Sequence, residues 1–340
     1  MKFRPLADTG VFVSELCLGT MTFGGGAAIW QTIGGLEQKA VDEIVHRSID
    51  AGINFIDTAN VYATGESETL LGKALAGKRQ GIVLATKVRG RMGPGANQVG
   101  LSRLHIMEAL DASLTRLGTD YVDLYQIHRF DTLTNIEDTL RALDDSVRAG
   151  KVRYIGCSNL AAWQLMQALG MSRAQGLERF RCTQSYYSLV GRELEREMIP
   201  LLKDQGLGLL VWSPLAGGFL SGKFTRTSGD DSARRAKFDF PPVDKDKGFT
   251  ILDAATPIAA AHGVSVAQIA LAWILANDAV TSVIIGAKKM TQLDDNLKAV
   301  DVTLTAADLA ALNEVSKLAV EYPTWMDALG SDRRPGERRY

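Results

Sequence analysis

The segment INFIDTANVYATGESETLLGKAL, residues 53–75, contains a strand and nearly all of the helix that follows it, and it indicates the fold. Its first residues, Ile53–Ile56, are mostly apolar, and so short an apolar run is typical of a strand buried on both faces. Polar residues follow at once in Asp57 and Thr58, and Glu66–Ala76 then has the pattern of an amphipathic helix. A buried strand followed by a helix predicts a parallel sheet covered by helices.

The same alternation recurs along the whole chain and gives eight units. The predicted strands are Glu15–Leu18, Ile53–Ile56, Ile82–Thr86, Tyr121–Ile127, Val152–Gly156, Phe180–Gln184, Gly208–Val211 and Ser282–Ile285. The predicted helices are Glu37–Ala51, Glu66–Ala76, Leu101–Leu117, Ile136–Ala149, Ala161–Leu169, Arg192–Gln205, Val266–Ala276 and Gln292–Ala299. Eight units predict an α/β fold, a (β/α)8 TIM barrel, with residues 1–340 forming one domain.

Several helix ends carry their own signals. Ser102 can cap the helix that follows it, and Thr134 with Glu137 has the spacing of a capping box for the Ile136 helix. Glycine follows three of the helices, at Gly52, Gly118 and Gly150, where a left-handed residue is expected.

Three stretches lie outside the eight units. Residues 2–14, with Asp8-Thr9-Gly10 at the centre, predict an N-terminal β-hairpin cap that closes the bottom of the barrel. The stretch Phe219–Lys247 is polar, charged and aperiodic, and predicts a mobile loop over the site. Extra C-terminal helices are predicted from Ala306–Leu318, which Thr305 can cap, and a tail containing Trp325 follows.

Composition excludes several kinds of partner. The 340 residues carry a formal net charge of −1, with 46% hydrophobic and 23% charged residues, so we expect neither nucleic acid nor an anionic membrane as partner. The start MKFRPLADTG lacks the pattern of a secretory signal, and no apolar run approaches about 18 residues, so we expect a cytoplasmic protein.

Cysteine and histidine usage gives no metal prediction. The three cysteines, Cys17, Cys157 and Cys182, lie in or beside apolar runs without CxxC spacing, which is typical of reduced core thiols. The histidines are far apart, and none of them forms an HxxxH pair.

Polar residues recur directly after the predicted strands. Because a barrel carries its active site at the carboxyl ends of its strands, these residues are candidates for one site. In strand order they are Gly19-Thr20-Met21, Asp57-Thr58-Ala59, Lys87, His128, Ser158-Asn159, Gln184, Trp212-Ser213-Pro214 and Gly286-Ala287-Lys288. Helix capping accounts for some single members of this set, but not readily for all eight positions together.

The set resembles the aldo-keto reductase family. The resemblance begins with Asp57 and Tyr62 five residues apart, Lys87 after strand three and His128 after strand four. It continues over essentially the whole chain, from LCLGTMTFG through YVDLYQIH, YIGCSN, TQSYYSL and WSPLAGGFLSGK to IIGAKKMTQLDDNL.

The resemblance implies a catalytic tetrad of Asp57, Tyr62, Lys87 and His128 that reduces an aldehyde or ketone. A phenol is a poor acid near neutrality, so we expect the Lys87 ammonium to lower the pKa of Tyr62, the proton donor, while Asp57 keeps Lys87 charged. His128 would donate a hydrogen bond to the substrate oxygen.

A hydride must come from a nicotinamide, because no flavin, haem or metal signal is present. No GxGxxG follows a strand, which argues against a Rossmann site. The resemblance implies NADP(H) across the barrel mouth, with Ser158, Asn159 and Gln184 at the carboxamide and Trp212 stacked on the ring. The family often has tyrosine at the position of Trp212.

The resemblance also places the rest of the nucleotide. Ser213, Leu215, Gly217 and Ser221 would line the pyrophosphate path, and Lys223 would clamp its phosphates. Lys288 would meet the 2′-phosphate, and Gln292 and Asn296 the adenine. The remaining predicted cofactor residues are Gly19, Thr20, Met21, Asp57, Pro214, Gly286 and Ala287. Family members more often have arginine at the position of Lys288, and lysine is a point charge without a planar fork.

The predicted substrate is a small-molecule carbonyl or alcohol of unspecified identity. Its predicted contacts are Met21, Phe23, Trp30, Tyr62, His128 and Phe130, and Arg89 and Arg91 also lie in loops after strands. A core or surface role for any one of these side chains stays open. For this family we expect a monomer or a weak oligomer.

Two other readings stay open. The family includes NADPH-binding proteins that serve as regulatory subunits of channels, and turnover of an aldehyde separates that reading from a reductase. An unrelated barrel hydrolase or isomerase would need a carboxylate pair or a metal-ligand cluster at the rim, and neither is evident.

Overall fold

Eight parallel strands close into a barrel, as predicted. The computed structural model describes residues 1–26, 28–226 and 234–329. The strands are β1 Phe3–Pro5, β2 Phe12–Ser14, β3 Leu16–Gly19, β4 Phe55–Asp57, β5 Val83–Val88, β6 Val122–Ile127, β7 Val152–Ser158, β8 Phe180–Tyr186, β9 Gly208–Trp212 and β10 Val280–Ile285. Their order around the barrel is β10-β3-β4-β5-β6-β7-β8-β9.

Helices cover the outside of the barrel. They are α1 Ala28–Ile33, α2 Gln38–Asp50, α3 Glu66–Ala74, α4 Arg103–Leu117, α5 Ile136–Arg148, α6 Ala162–Gln175, α7 Met198–Gln205, α8 Arg234–Lys237, α9 Lys245–His262, α10 Val266–Leu275, α11 Met290–Leu297 and α12 Ala306–Ser316. The larger core lies between strands and helices, and a smaller one fills the lower barrel around Cys17, Phe55 and Leu210. Both faces of each barrel strand are therefore buried, which explains the short apolar runs.

The N-terminal hairpin is confirmed. β1 and β2 pair antiparallel, and Leu6 and Val13 complete the lower core. The Arg4 guanidinium donates hydrogen bonds of 2.6 Å to the carbonyl oxygens of Leu275 and Val280. Because Leu275 ends α10, this arginine satisfies a carbonyl that a helix end leaves open.

The capping predictions have mixed outcomes. The Ser102 hydroxyl caps α4, and Thr305 forms a capping box with Asp308 at the start of α12. The prediction for Thr134 is wrong. Asn135 caps α5 by accepting from the Glu137 amide at 3.1 Å, because the Thr134 hydroxyl is already bound to Asp131.

The prediction of one loop over 219–247 is wrong in extent. A four-residue helix, α8, lies within it, and α9 begins at Lys245. Residues 227–233 lie outside the described residues, and mobility stays a prediction. The predicted helix Arg192–Gln205 is also interrupted, since a 3-10 turn at Glu193–Glu195 precedes α7.

No single helix of the described chain is long and apolar enough to cross a membrane. α9 and α10 reach that length and composition only as a pair, and they are bent by 96° relative to each other.

Candidate active site

The four side chains of the predicted tetrad meet at the carboxyl end of the barrel. Asp57 ends β4, Lys87 lies near the end of β5 and His128 follows β6. Tyr62 opens a 3-10 turn, Tyr62–Gly65, after β4. These strands are neighbours in the closed sheet, so residues far apart in sequence arrive at one rim.

Lys87 is the centre of the cluster. Its side chain is fully buried, and its ammonium donates to Asp57 Oδ2 at 2.5 Å, to the Thr58 carbonyl at 2.9 Å and to Tyr62 Oη at 3.3 Å. An ammonium has three donors, and all three have a partner here. The geometry therefore fixes a buried cation beside the phenol oxygen.

Asp57 is held by more than Lys87. Its second oxygen, Oδ1, accepts from the side-chain amides of Gln126 at 3.0 Å and Gln184 at 2.8 Å. Gln184, which the sequence assigns to the cofactor carboxamide, thus uses its amide nitrogen to orient Asp57. Gln126 was not predicted, although alternation along β6 places it on the same face as Leu124 and His128.

The expected direction of the Tyr62 pKa is wrong. Burial raises the pKa of the phenol above its ordinary value, and the Lys87 charge opposes that rise without reversing it. For Lys87, burial by itself disfavours the charge, but Asp57 and Tyr62 outweigh it and raise the pKa of the ammonium. At neutral pH the pair is therefore a neutral phenol beside a charged lysine.

His128 is neutral in this environment. Burial, together with the charges of Lys87, Arg89 and Arg129, lowers its pKa to about 3. Its ring stands edge-on to Tyr62, with centroids 5.9 Å apart and planes at 77°. A neutral imidazole has one N–H to donate, so His128 can offer a hydrogen bond to an oxygen at the Tyr62 hydroxyl.

The Trp212 ring lies across the mouth and is held by Asn159 and by two aromatic neighbours. The indole N–H of Trp212 donates to Asn159 Oδ1 at 2.9 Å, and the Asn159 amide donates to the His128 carbonyl at 3.0 Å. The Trp212 ring lies 5.1 Å from Tyr186, and the Phe240 ring is nearly parallel to it, at 5.8 Å and 9°.

The predicted pyrophosphate segment follows β9. Ser213, Ala216, Gly217 and Gly218 all have positive φ values, from 49° to 96°. The amides of this turn donate within it: that of Ala216 to the Ser213 carbonyl, that of Gly217 to the Ser213 hydroxyl and that of Gly218 to the Leu215 carbonyl. A Cβ at Gly217 would lie 2.3 Å from the Phe240 carbonyl, so glycine is needed there. Pro214 and Leu215 lie in the same turn, and the Ser221 hydroxyl donates to the Gly218 carbonyl at 2.6 Å.

The predicted nucleotide segment after β10 is engaged with the protein itself. Lys288 Nζ donates to the Thr32 carbonyl of α1 at 2.7 Å, and its main-chain amide donates to Gln292 Oε1 at 2.9 Å. Asn296 is buried, with its amide nitrogen 3.5 Å from the Gly286 carbonyl. The helix opens at Met290, two residues before the predicted start.

Three of the predicted contact residues are fully buried, and their contacts with cofactor or substrate stay predictions. Thr20 and Ser158 are fully buried, and each hydroxyl is hydrogen-bonded, to Ser67 and to the Asn159 amide respectively. Phe23 is also fully buried, because its backbone bridges to Leu36 and turns the ring into the core. Among the other predicted substrate contacts, Met21, Trp30 and Phe130 are half-buried at the mouth, and Trp30 lies 6.0 Å from Tyr62.

Residues of the long loop also reach the site. Phe240 covers Trp212, and Arg235 anchors this loop through bonds of 2.6 Å and 2.7 Å to the carbonyl oxygens of Ala216 and Pro241. Arg235 is almost fully buried and pairs with Asp239. Neither contact could be predicted from the sequence, because the path of an aperiodic segment is set by tertiary packing.

Fold and site together define a class: a (β/α)8 barrel with a buried Asp–Lys pair beneath a tyrosine and a histidine at its carboxyl rim. The sequence model of the "Aldo/keto reductase family" matches residues 15–317. The chain therefore belongs to the aldo/keto reductase family.

Relatives extend over nearly the whole chain. A versiconal hemiacetal acetate reductase of Aspergillus parasiticus is 36% identical, over 92% of this chain and 96% of its own. An uncharacterized oxidoreductase of Bacillus subtilis is 37% identical, over 93% and 96%. A probable voltage-gated potassium channel subunit beta of Arabidopsis thaliana is 38% identical, over 89% and 92%. The family and its reductase members support an oxidoreductase that acts on carbonyl compounds.

Proposed function

We propose that the protein reduces an aldehyde or ketone to the alcohol, reversibly, with NADPH as hydride donor and Tyr62 as proton donor. The observation that carries the proposal is the Lys87 ammonium, 2.5 Å from Asp57 and 3.3 Å from the Tyr62 hydroxyl. A buried ammonium beside a phenol oxygen stabilises the tyrosinate that forms when the phenol gives up its proton.

The tetrad transfers one proton, from Tyr62 Oη to the substrate oxygen. Tyr62 Oη holds it at neutral pH, because burial raises the pKa of the phenol. As negative charge develops on the substrate oxygen, Tyr62 gives up the proton, and Lys87 stabilises the tyrosinate that forms. Asp57 keeps Lys87 charged, and the His128 N–H stabilises the developing alkoxide.

The residues at the mouth fit a nicotinamide nucleotide. When bound, a reduced nicotinamide supplies the hydride. The Trp212 ring, which Phe240 now covers, has the aromatic face that a nicotinamide needs, and Lys288 supplies a cation. Lys223 lies in the chain that leaves the turn after β9.

We infer a preference for NADPH over NADH from Lys288. Lys288 is a cation in the segment that the family resemblance places at the 2′-phosphate, and one of its interactions is a hydrogen bond to the Thr32 carbonyl. A phosphate is a stronger acceptor for an ammonium than a peptide carbonyl is, since charge-assisted hydrogen bonds are about twice as strong.

The test is direct. Purified protein is mixed with NADPH and 4-nitrobenzaldehyde, and loss of the reduced cofactor's absorbance is followed beside an NADH control. Turnover with NADPH supports the proposal, and a protein that binds neither cofactor contradicts it.

A second candidate function follows from the channel relatives, which match at 38% identity. In that case the protein binds NADPH tightly and serves as a regulatory subunit. NADPH binding without turnover, across a broad panel of aldehydes and ketones, would favour this second function.

A further inference from the structure

Arg89 lies beside the catalytic cluster with no role in it. It follows β5, and since Val88 pairs with Ile127 in β6, Arg89 is next to His128 at the rim. The His128 amide donates to the Val88 carbonyl at 2.9 Å, which fixes this register. The φ of Arg89 is +123°, a value that non-glycine residues rarely adopt and that is concentrated at functional sites.

The Arg89 side chain turns over the loop that follows β6. Its Nε donates to the Phe130 carbonyl at 3.2 Å. Arg129, the residue between His128 and Phe130, is exposed on the same loop. Two guanidinium groups are thus carried by the two segments that flank the His128 ring.

Neither arginine forms an ion pair with any residue in the described parts of the chain. The carboxylate that acts on Arg89 is Asp131, but its oxygens already accept from the amides of Leu101 and Leu133 and from the Thr134 hydroxyl. The other neighbouring cation, Lys87, is neutralised by Asp57. This side of the mouth therefore carries net positive charge.

The pKa shifts of nearby groups agree with a net positive charge on this side of the mouth. Burial and the Arg129 charge lower the pKa of Arg89, and both arginines help to lower the pKa of His128. Like charges held together destabilise one another unless a counter-ion is bound.

Beside the two arginines lies an apolar wall. The Phe130 ring packs 6.2 Å from Trp163, which is 64% exposed at the start of α6. On this side, the mouth therefore presents three neighbouring features: a neutral hydrogen-bond donor at His128, two cations and an aromatic surface.

We propose that Arg89, together with Arg129, forms an anion subsite, so that the substrates are carbonyl compounds that also carry a carboxylate or phosphate group. The apolar part of such a substrate contacts Phe130 and Trp163. This inference rests on the proposed reductase function and names its substrate class. A guanidinium suits the task, because its planar fork matches the oxygens of both groups.

The experiment compares matched aldehydes. 4-Carboxybenzaldehyde and its methyl ester have nearly the same shape and differ in charge, and glyceraldehyde 3-phosphate and glyceraldehyde form the phosphate pair. The measured quantity is the ratio of kcat/KM for the anionic over the neutral member, with NADPH, in wild type, Arg89→Gln, Arg129→Gln and Arg148→Gln.

Arg148 is the matched control. It is an exposed arginine in the last turn of α5, at the opposite end of the barrel, and pairs with Asp144. Arg129→Gln guards against a folding defect in Arg89→Gln, since Arg129 is exposed on its loop.

We expect the wild-type ratio to exceed one for at least one pair. It should fall about 10- to 100-fold in Arg89→Gln, as for loss of a hydrogen bond to a charged group, mainly through KM. The fall should be smaller in Arg129→Gln and absent in Arg148→Gln. The pair with the larger ratio identifies carboxylate or phosphate as the anion.

Equal rates for charged and neutral aldehydes, unaltered by Arg89→Gln and Arg129→Gln, would overturn the anion subsite and leave the reductase proposal standing. No turnover of any aldehyde would overturn the reductase proposal and this inference with it.

Discussion

The two halves of the barrel mouth are organised differently. On the side of β4 to β6, Asp57, Lys87 and Tyr62 already hold one another through direct hydrogen bonds. On the side of β9 and β10, Phe240 covers the Trp212 ring and the Thr32 carbonyl holds the Lys288 ammonium. The proton-transfer half is preorganised, whereas the nucleotide half must exchange protein contacts for cofactor contacts.

The largest expected effect comes from breaking the preorganised half. In Lys87→Met, Tyr62 loses the cation that stabilises its anion, and kcat should fall about 100- to 10,000-fold. The affinity for NADPH, measured by fluorescence titration, should change little.

Lys73→Met is the control, because Lys73 is exposed near the end of α3. Circular dichroism verifies that each variant is folded. A Lys87→Met enzyme with near wild-type kcat would contradict the preorganised half.

Lys288→Gln tests the nucleotide half. Loss of a charged partner for the 2′-phosphate should weaken NADPH binding about 10- to 100-fold and leave NADH binding nearly unchanged. Lys298→Gln, at an exposed lysine beyond α11, is the control. If both cofactors lost affinity equally, Lys288 would not read the 2′-phosphate.

Phe240→Ala also tests the nucleotide half, with a smaller expected effect. An aromatic pair contributes about 0.5–1.5 kcal/mol, so freeing the Trp212 ring should speed NADPH association about 2- to 10-fold in stopped-flow fluorescence. Phe12→Ala, at an exposed ring of β2 on the opposite end, should have no effect. Slower association in Phe240→Ala would show that Phe240 assists cofactor entry.

The smallest expected effect is that of pH on reduction. His128 has its pKa lowered to about 3 and stays neutral above that value, while Tyr62, with a raised pKa, stays protonated. The rate of the chemical step should therefore be flat between pH 5 and about 8, below the ordinary phenol pKa of about 10. A midpoint near the ordinary histidine pKa of about 6.5 that disappears in His128→Gln would contradict the neutral histidine.

The sequence predicts the proton-transfer half of the mouth better than the nucleotide half. The barrel strands could be predicted because each is a short apolar run. Asp57, Lys87 and His128 could be predicted because they follow strands that share one rim, and Tyr62 through the family resemblance. α9 escaped detection, because Gly248, Pro257 and a run of alanines obscure its helical pattern. Gln126 escaped because it lies within an apolar strand.

The nucleotide side was less predictable for a physical reason. Contacts such as Lys288 with Thr32, or Phe240 with Trp212, join loops that are far apart in sequence. Burial of Phe23 depends likewise on a bridge to Leu36. Motif positions say which residues reach the rim, but not which of them are covered there by other loops.

The most direct test of the central claim is a single-turnover measurement on Tyr62→Phe. Enzyme with NADPH already bound is mixed with 4-nitrobenzaldehyde, and cofactor oxidation is followed by stopped flow. The account predicts that Tyr62→Phe binds NADPH as wild type does but oxidises it at least about 100-fold more slowly. Oxidation at the wild-type rate would contradict Tyr62 as the proton donor.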